Sequence, residues 1–136
     1  MSEGNIIDTN IWVYAHLEDA NDPCCGLAWN FFSTRKDPVI SPQVIAEYYS
    51  VMLRNNQNED LIQRNIVRMM EQCEFQSLNY DVVRRSLAIR LRYGFSIWDS
   101  HIVAAALEAG CSKLYTEDLQ SGQALDQLEK INPLIV

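Results

Sequence analysis

The sequence predicts a three-layer α/β sandwich, with helices flanking a short and mostly parallel central sheet. Three observations carry that prediction. Short apolar runs suited to strands alternate with longer helical stretches, the pattern of a sheet built from crossover units. Two helix starts are marked by Asp22-Pro23 and Ser41-Pro42, each a capping residue followed by a proline in the first turn. Glycine is scarce, with five in 136 residues, and there is no Gly-, Ser- or Pro-rich linker and no internal repeat. Residues 1–136 therefore read as one compact domain.

The elements follow in order. Asn5 to Ile7 reads as a short strand ending at Asp8, and Ile11 to Leu17 as the helical segment after it. A helix opens at Asp22-Pro23 and runs to Ser33. Val39-Ile40 is a brief strand, and Ser41-Pro42 opens a helix through Arg54. Asn58 caps a helix over Glu59 to Gln72, and Phe75 to Leu78 reads as a strand. Asn79 caps a helix over Tyr80 to Tyr93, which stops at Gly94. Ser96 caps the next helix, which ends at Gly110. Lys113 to Tyr115 is a strand, and Leu134 to Val136 reads as a last one.

Composition narrows the function classes. An apolar fraction of 48% with 21% charged residues is ordinary for a soluble globular protein. No apolar run approaches the roughly 20 residues of a membrane helix, and the N-terminus lacks the pattern of a secretory signal. The four cysteines, Cys24, Cys25, Cys73 and Cys111, show no zinc spacing, and adjacent Cys24 and Cys25 are poor disulfide partners. Reduced cysteines, a cytoplasmic location and no membrane association are expected. A net charge of −7 argues against coating nucleic acid by general electrostatics. It leaves room for an acidic site that holds divalent cations, whose charge reverses the local field.

The helix opened by Ser96 carries an acid in an unexpected place. At about 100° per residue, His101 and Glu108 share one face, and Asp99 lies nearly opposite them. The neighbours of Asp99 at i+3, i+4 and i+7 are Ile102, Val103 and Ala106. Three more acids sit at comparable places. Asp8 follows the first strand directly, and Asp118 follows the Lys113 to Tyr115 strand by three positions. Glu47 lies in the second turn of the helix after Val39-Ile40, at the margin of an apolar stripe of Val44, Ile45, Tyr48, Val51 and Met52. In a parallel sheet, positions just after strands or early in helices form the ligand-binding edge.

Bringing carboxylates together is unfavourable. At about 4 Å and an effective dielectric near 20, one like-charge pair is repelled by about 4 kcal/mol. Four of them require raised pKa values or a bound cation. All-oxygen ligands suit a hard ion, Mg2+ or Mn2+, that retains water and completes its shell with phosphate oxygens. Such a site supports phosphodiester hydrolysis.

These residues resemble a family. Ile6-Ile7-Asp8-Thr9-Asn10, Ser41-Pro42-Gln43-Val44-Ile45-Ala46-Glu47, Ile97-Trp98-Asp99-Ser100 and Thr116-Glu117-Asp118-Leu119 resemble, in order, the four acidic motifs of PIN-domain nucleases. The similarity is greatest to short single-domain bacterial members typified by VapC toxins, and it spans residues 6 to 119. It implies a PIN-like fold and a metal-dependent endoribonuclease whose catalytic and metal-binding set is Asp8, Glu47, Asp99 and Asp118. Asn10 and Thr116 would be polar support, with one or two Mg2+ or Mn2+ ions as cofactor. The T-x-D pattern selects Asp118, while adjacent Glu117 leaves a swapped assignment open. An RNA substrate, a small antitoxin protein and a homodimer are the partners the resemblance implies.

Each acid also has a plainer reading. The helix dipole favours Asp in a first turn, aspartates after strands commonly accept turn hydrogen bonds, and Glu47 at a helix margin can simply be solvated. Taken jointly, these readings leave the order and placement of all four unexplained. His101 reads as a surface or satisfied histidine and Trp98 as a packing residue. Arg84, Arg85, Arg90 and Arg92 make one helix locally basic: either a solvated face helped by an Asp81–Arg85 pair, or a phosphate-contacting face with Arg85 and Arg92 as the RNA contacts. The competing function class is a non-catalytic nucleic-acid or partner-binding module on the same fold. A phosphotransfer domain is disfavoured, since Asp8-Thr9-Asn10 lacks the second acid of a D-x-D start.

Overall fold

The computed structural model describes residues 4–35, 37–117 and 124–135. The α/β sandwich predicted from the sequence is the fold. Strand β1 (Gly4–Ile7) leads to helices α1 (Thr9–Leu17) and α2 (Pro23–Ser33), and β2 (Val39–Ile40) leads to α3 (Pro42–Arg54) and α4 (Glu59–Gln72). Strand β3 (Glu74–Phe75) leads to α5 (Tyr80–Tyr93) and α6 (Ile97–Glu108), and β4 (Cys111–Tyr115) precedes a hairpin of β5 (Ala124–Leu125) and β6 (Leu128–Ile131). The sheet order is β3-β2-β1-β4-β6-β5, with all neighbours parallel except the β5–β6 pair.

Local chemistry explains where the helices begin. Asp8, Asp22, Ser41, Asn58, Asn79 and Ser96 stand at the six N-caps, each with a side-chain oxygen accepting a first-turn backbone N–H. Each such cap contributes about 1 kcal/mol. Gly94, at φ +75°, ends α5 in the left-handed conformation that a side chain disfavours. The central strands are buried on both faces, so Ile6-Ile7 and Val39-Ile40 are consecutive apolar residues rather than alternating ones. Helix α6 is equally enclosed: Ile102, Val103, Ala104, Ala105 and Ala106 are all buried. No helix among the described residues is long and apolar enough to cross a membrane.

The structure corrects two strands. The segment read as Phe75 to Leu78 pairs only over Glu74–Phe75, after which the chain leaves the sheet toward the Asn79 cap. The last strand is not at Leu134. It is β6, whose Lys113↔Glu129 and Tyr115↔Ile131 registers extend the sheet beyond β4. Pro133 has no backbone N–H to give a ladder, and Val136 lies outside the described residues. The β5–β6 hairpin turns at Asp126, which holds φ 56°, a conformation that Asp tolerates better than most residues. All four cysteines are free thiols, as expected, and burial pushes Cys73 and Cys111 up to about 12.

A polar contact joins α1, α3 and α4 inside this core. The fully buried Tyr48 hydroxyl accepts from Asn65 Nδ2 at 3.1 Å and lies 2.6 Å from His16 Nδ1. With its lone pair facing Asn65, the hydroxyl donates to Nδ1, which must then be unprotonated. Burial also lowers the His16 pKa below 6.5 and pushes Tyr48 up to about 12. The unfolded chain thus binds a proton at His16 that the folded chain refuses. That contribution to stability is complete above pH 6.5 and is lost as pH falls through the lowered folded value. Urea midpoints should therefore drop between about pH 7 and pH 5 more steeply for the native chain than for His16→Gln.

Candidate active site

The crossovers leaving β1 and β4 run to opposite sides of the sheet, β1 toward β2 and β4 toward β6. A reversal of this kind opens a crevice beyond the carboxyl ends of the two strands. Asp8 and Thr116 are the residues that follow those strands. Asp8 N donates to Tyr115 O at 2.9 Å, and Thr116 N donates to Ile131 O at 2.9 Å, so both residues remain anchored to the sheet.

Asp8 is only 5% exposed. Its Oδ1 accepts the Thr9 N–H at 2.7 Å, which caps α1, and its Oδ2 accepts the Thr116 hydroxyl at 2.8 Å. A carboxylate taken out of water needs such donors, because an unsatisfied buried charge is far more unfavourable than a hydrogen-bonded one. Thr9 then passes the connection on. Its hydroxyl donates to Glu47 Oε2 at 2.9 Å, linking the first acid to the second through one residue. Glu47 Oε1 accepts from Gln43 Nε2 at 3.1 Å, one helical turn earlier in α3. The same Gln43 nitrogen reaches Trp98 O at 2.7 Å, and Gln43 Oε1 meets His101 Nδ1 at 3.0 Å. A continuous chain of hydrogen bonds thus runs from the end of β4 to the first turns of α6.

Asp99 lies in the first turn of α6, half-buried, with its N–H bound to the Ser96 cap at 3.1 Å. Lys130 on β6 is 1% exposed, and its Nζ lies 4.9 Å from the centre of the Phe95 ring, just before that cap. Burial pushes the Lys130 pKa down, and the charge of Asp99 pushes it back up. Asn10 sits half-buried in the first turn of α1, two residues from Asp8. Asp118 lies outside the described residues. Its neighbour Glu117 accepts the Tyr14 hydroxyl at 2.8 Å; burial, then this carboxylate, raises the Tyr14 pKa.

The PIN domain family matches residues 6–124 of the 136. The chain belongs to the PIN-domain family. No curated protein matches it in sequence. Among solved structures, the PIN fold is shared with VapC20 from Mycobacterium tuberculosis, described as a sarcin-ricin loop cleaving toxin. That pair has 17% identity and a TM-score of 0.69 over 84% of this chain and 89% of that one. A toxin–antitoxin complex from Klebsiella pneumoniae matches at 19% identity and TM-score 0.70, covering 97% of this chain and 98% of that one. VapBC2 from Rickettsia felis, bound to a DNA fragment from its promoter, matches at 15% and 0.65 over 95% and 99%.

In this PIN domain the acids are linked rather than caged. Among the described residues, no three His, Cys, Asp or Glu side chains stand together as a group that could hold a metal ion. The donor chemistry nonetheless suits a hard divalent cation. The donors on Glu47 are neutral and the candidate ligands are oxygens. Mg2+ takes one or two carboxylates and fills the rest of its shell with water and phosphate oxygens. A protein cage of three is therefore not required.

Several residues beside the acids differ from expectation. Trp98 is 61% exposed, not packed, because it falls on the outer side of the first turn of α6. Arg85 pairs with Glu108 at 3.1 Å, where an Asp81 partner had been expected, and Arg92 pairs with Asp126 at 2.9 Å. Both arginines have carboxylate partners on the surface. His101 is satisfied, as expected, by Gln43, which also donates to Glu47. Gln43 and Thr9 were missed as site residues, although the i,i+4 spacing of Gln43 and Glu47 in a helix was a legible signal.

Thr116→Val keeps the shape of the side chain and removes its donor to Asp8. The variant should lose about 1.5–3 kcal/mol of stability in urea denaturation, the range for a hydrogen bond to a charged group. In an Asp8→Asn background the same substitution should be markedly less destabilising, which a double-mutant cycle would read directly.

Proposed function

We propose that this PIN domain is a divalent-metal-dependent endoribonuclease that hydrolyses RNA phosphodiester bonds, and that it is the toxin of a toxin–antitoxin pair. The observation that carries the reading is the Thr9 bridge. One residue holds two carboxylates, Asp8 and Glu47, side by side at the crevice between β1 and β4. Residues 1–136 act as one nuclease unit. Asp8, Glu47, Asp99 and Asp118 hold one or two Mg2+ or Mn2+ ions, with Asn10 and Thr116 as polar support. Glu117 is engaged by Tyr14, which favours Asp118 as the fourth acid.

When bound, the cation supplies charge stabilisation to the scissile phosphate and eases proton loss from the attacking water. The chain does the positioning. Each Glu47 oxygen uses one lone pair on Thr9 or Gln43 and keeps another for the site. Asp8, enclosed by the sheet and fixed by two donors, is unable to swing away as substrate arrives. Arg85 and Arg92 contact the RNA by exchanging a surface carboxylate for a backbone phosphate.

The toxin role draws on the M. tuberculosis and K. pneumoniae proteins, one described as a sarcin-ricin loop cleaving toxin and the other as a toxin–antitoxin complex. A small antitoxin masks the acidic groove, the active form is a homodimer, and the protein works in the cytoplasm.

The test is cleavage of structured RNA by purified protein with Mg2+ or Mn2+, with EDTA, and with Asp99→Asn. Cleavage should require the metal and fall at least about 100-fold in the variant, since even residues that merely support metal ligands are worth 10–100-fold. The absence of both cleavage and calorimetric metal binding in the native chain would sink this reading and leave a binding module.

A further inference from the structure

Gln43, four residues before Glu47 in the second acidic motif, stands at a junction between α3 and α6. Its amide nitrogen faces two acceptors, Glu47 Oε1 at 3.1 Å and the Trp98 carbonyl at 2.7 Å. Its amide oxygen faces His101 Nδ1 at 3.0 Å. Only one orientation of the amide is possible. Rotated by half a turn, the oxygen would oppose a carboxylate and a carbonyl, acceptor against acceptor, and the NH2 group would lose both partners. With the oxygen toward His101, the imidazole must carry its proton on Nδ1. The carboxylate and the carbonyl thus orient the amide, the amide selects the imidazole tautomer, and the imidazole N–H adds a third contact that holds the amide in place.

We propose that Gln43, locked by His101, is a positioning residue for Glu47. It fixes the distance between the second acid and the first turn of α6, where Asp99 is the next residue after the Trp98 carbonyl. The inference rests on the metal-dependent nuclease reading and adds to it a pair of residues that touch no reacting atom. Glu47 is held from both sides: the Thr9 hydroxyl sets one oxygen relative to Asp8, and the Gln43 amide sets the other relative to Asp99. Without Gln43, Glu47 would keep its tie to Asp8 and lose its tie to α6. The acids would then have to be gathered by the ion itself, at the expense of affinity.

The test uses the full chain and two independent readouts. The first is the tautomer of His101, read from long-range proton–nitrogen correlations with the imidazole in its neutral form. The chain has two histidines, so His16→Gln assigns the signals. Neutral His101 should carry its proton on Nδ1 and should lose that preference in Gln43→Leu. The second is Mn2+ affinity by calorimetry, together with kcat and KM on RNA. Gln43→Leu should weaken Mn2+ binding about 10–100-fold and lower kcat with little change in KM.

The His101 variants separate positioning from packing. Asn at 101 places an N–H where Nδ1 stood, whereas Leu offers the same outline with no donor. His101→Asn should retain native Mn2+ affinity and His101→Leu should not, with both variants folded by circular dichroism. A proton on Nε2 in the native chain, or native Mn2+ affinity in Gln43→Leu, overturns the proposal while leaving the nuclease reading intact. A native chain that neither binds Mn2+ nor cuts RNA removes the nuclease reading, and the proposal with it.

Discussion

A carboxylate buried between the two central strands is the constraint around which this protein is organised. Asp8 has left water at the end of β1, where it accepts the backbone N–H of Thr9, the first residue of α1, and the hydroxyl of Thr116, which follows β4. Several features follow from meeting that need. Thr9 must begin a helix, because its N–H is the cap partner. Once it does, its hydroxyl points across to α3 and takes hold of Glu47. Thr116 must follow β4 where that strand lies beside β1, at the point where the crossovers diverge. The capping of a helix, the closing of a sheet and the placing of two acids are one set of contacts.

Much of this was legible in the residues. Caps such as Asp22-Pro23, Ser41-Pro42 and Asn79 announce themselves chemically, and the helices they open begin where expected. The buried strands were legible too, because Ile6-Ile7 and Val39-Ile40 are apolar on both faces. The β5–β6 hairpin was not. Its strands are short, and the buried position at 130 is a lysine, whose stem serves as an apolar side chain while the ammonium lies against Phe95. Trp98 misled for the opposite reason: an aromatic beside a core helix is usually buried, and this one is exposed.

The site shows the same division. The positions of Asp8, Glu47 and Asp99 at the carboxyl edge follow from strand and helix order. What ties them together does not, since Thr9, Gln43 and His101 are ordinary polar residues until tertiary structure brings 9 to 47 and 43 to 101. The surface arginines illustrate the limit of local reasoning. Arg85 has a correctly spaced acid on its own helix, yet it pairs with Glu108 on α6, because α5 and α6 pack against each other. The buried Lys130 ammonium brings a positive charge under the acidic edge, an offset that net charge alone conceals.

The contacts that assemble the site also set when it can exist. Thr9 and Glu47 are 38 residues apart, Gln43 and His101 are 58 apart, and Asp8 and Thr116 are 108 apart. Contacts so distant in sequence form late, after the loops between them have closed. As the chain leaves the ribosome, Asp8 emerges first and waits for its Thr116 partner until a further 108 residues have been made. A truncated or half-synthesised chain therefore carries the acids without their supports. For a chain proposed to be a nuclease, this order of events withholds the assembled site until both strands that frame it, β1 and β4, have been made.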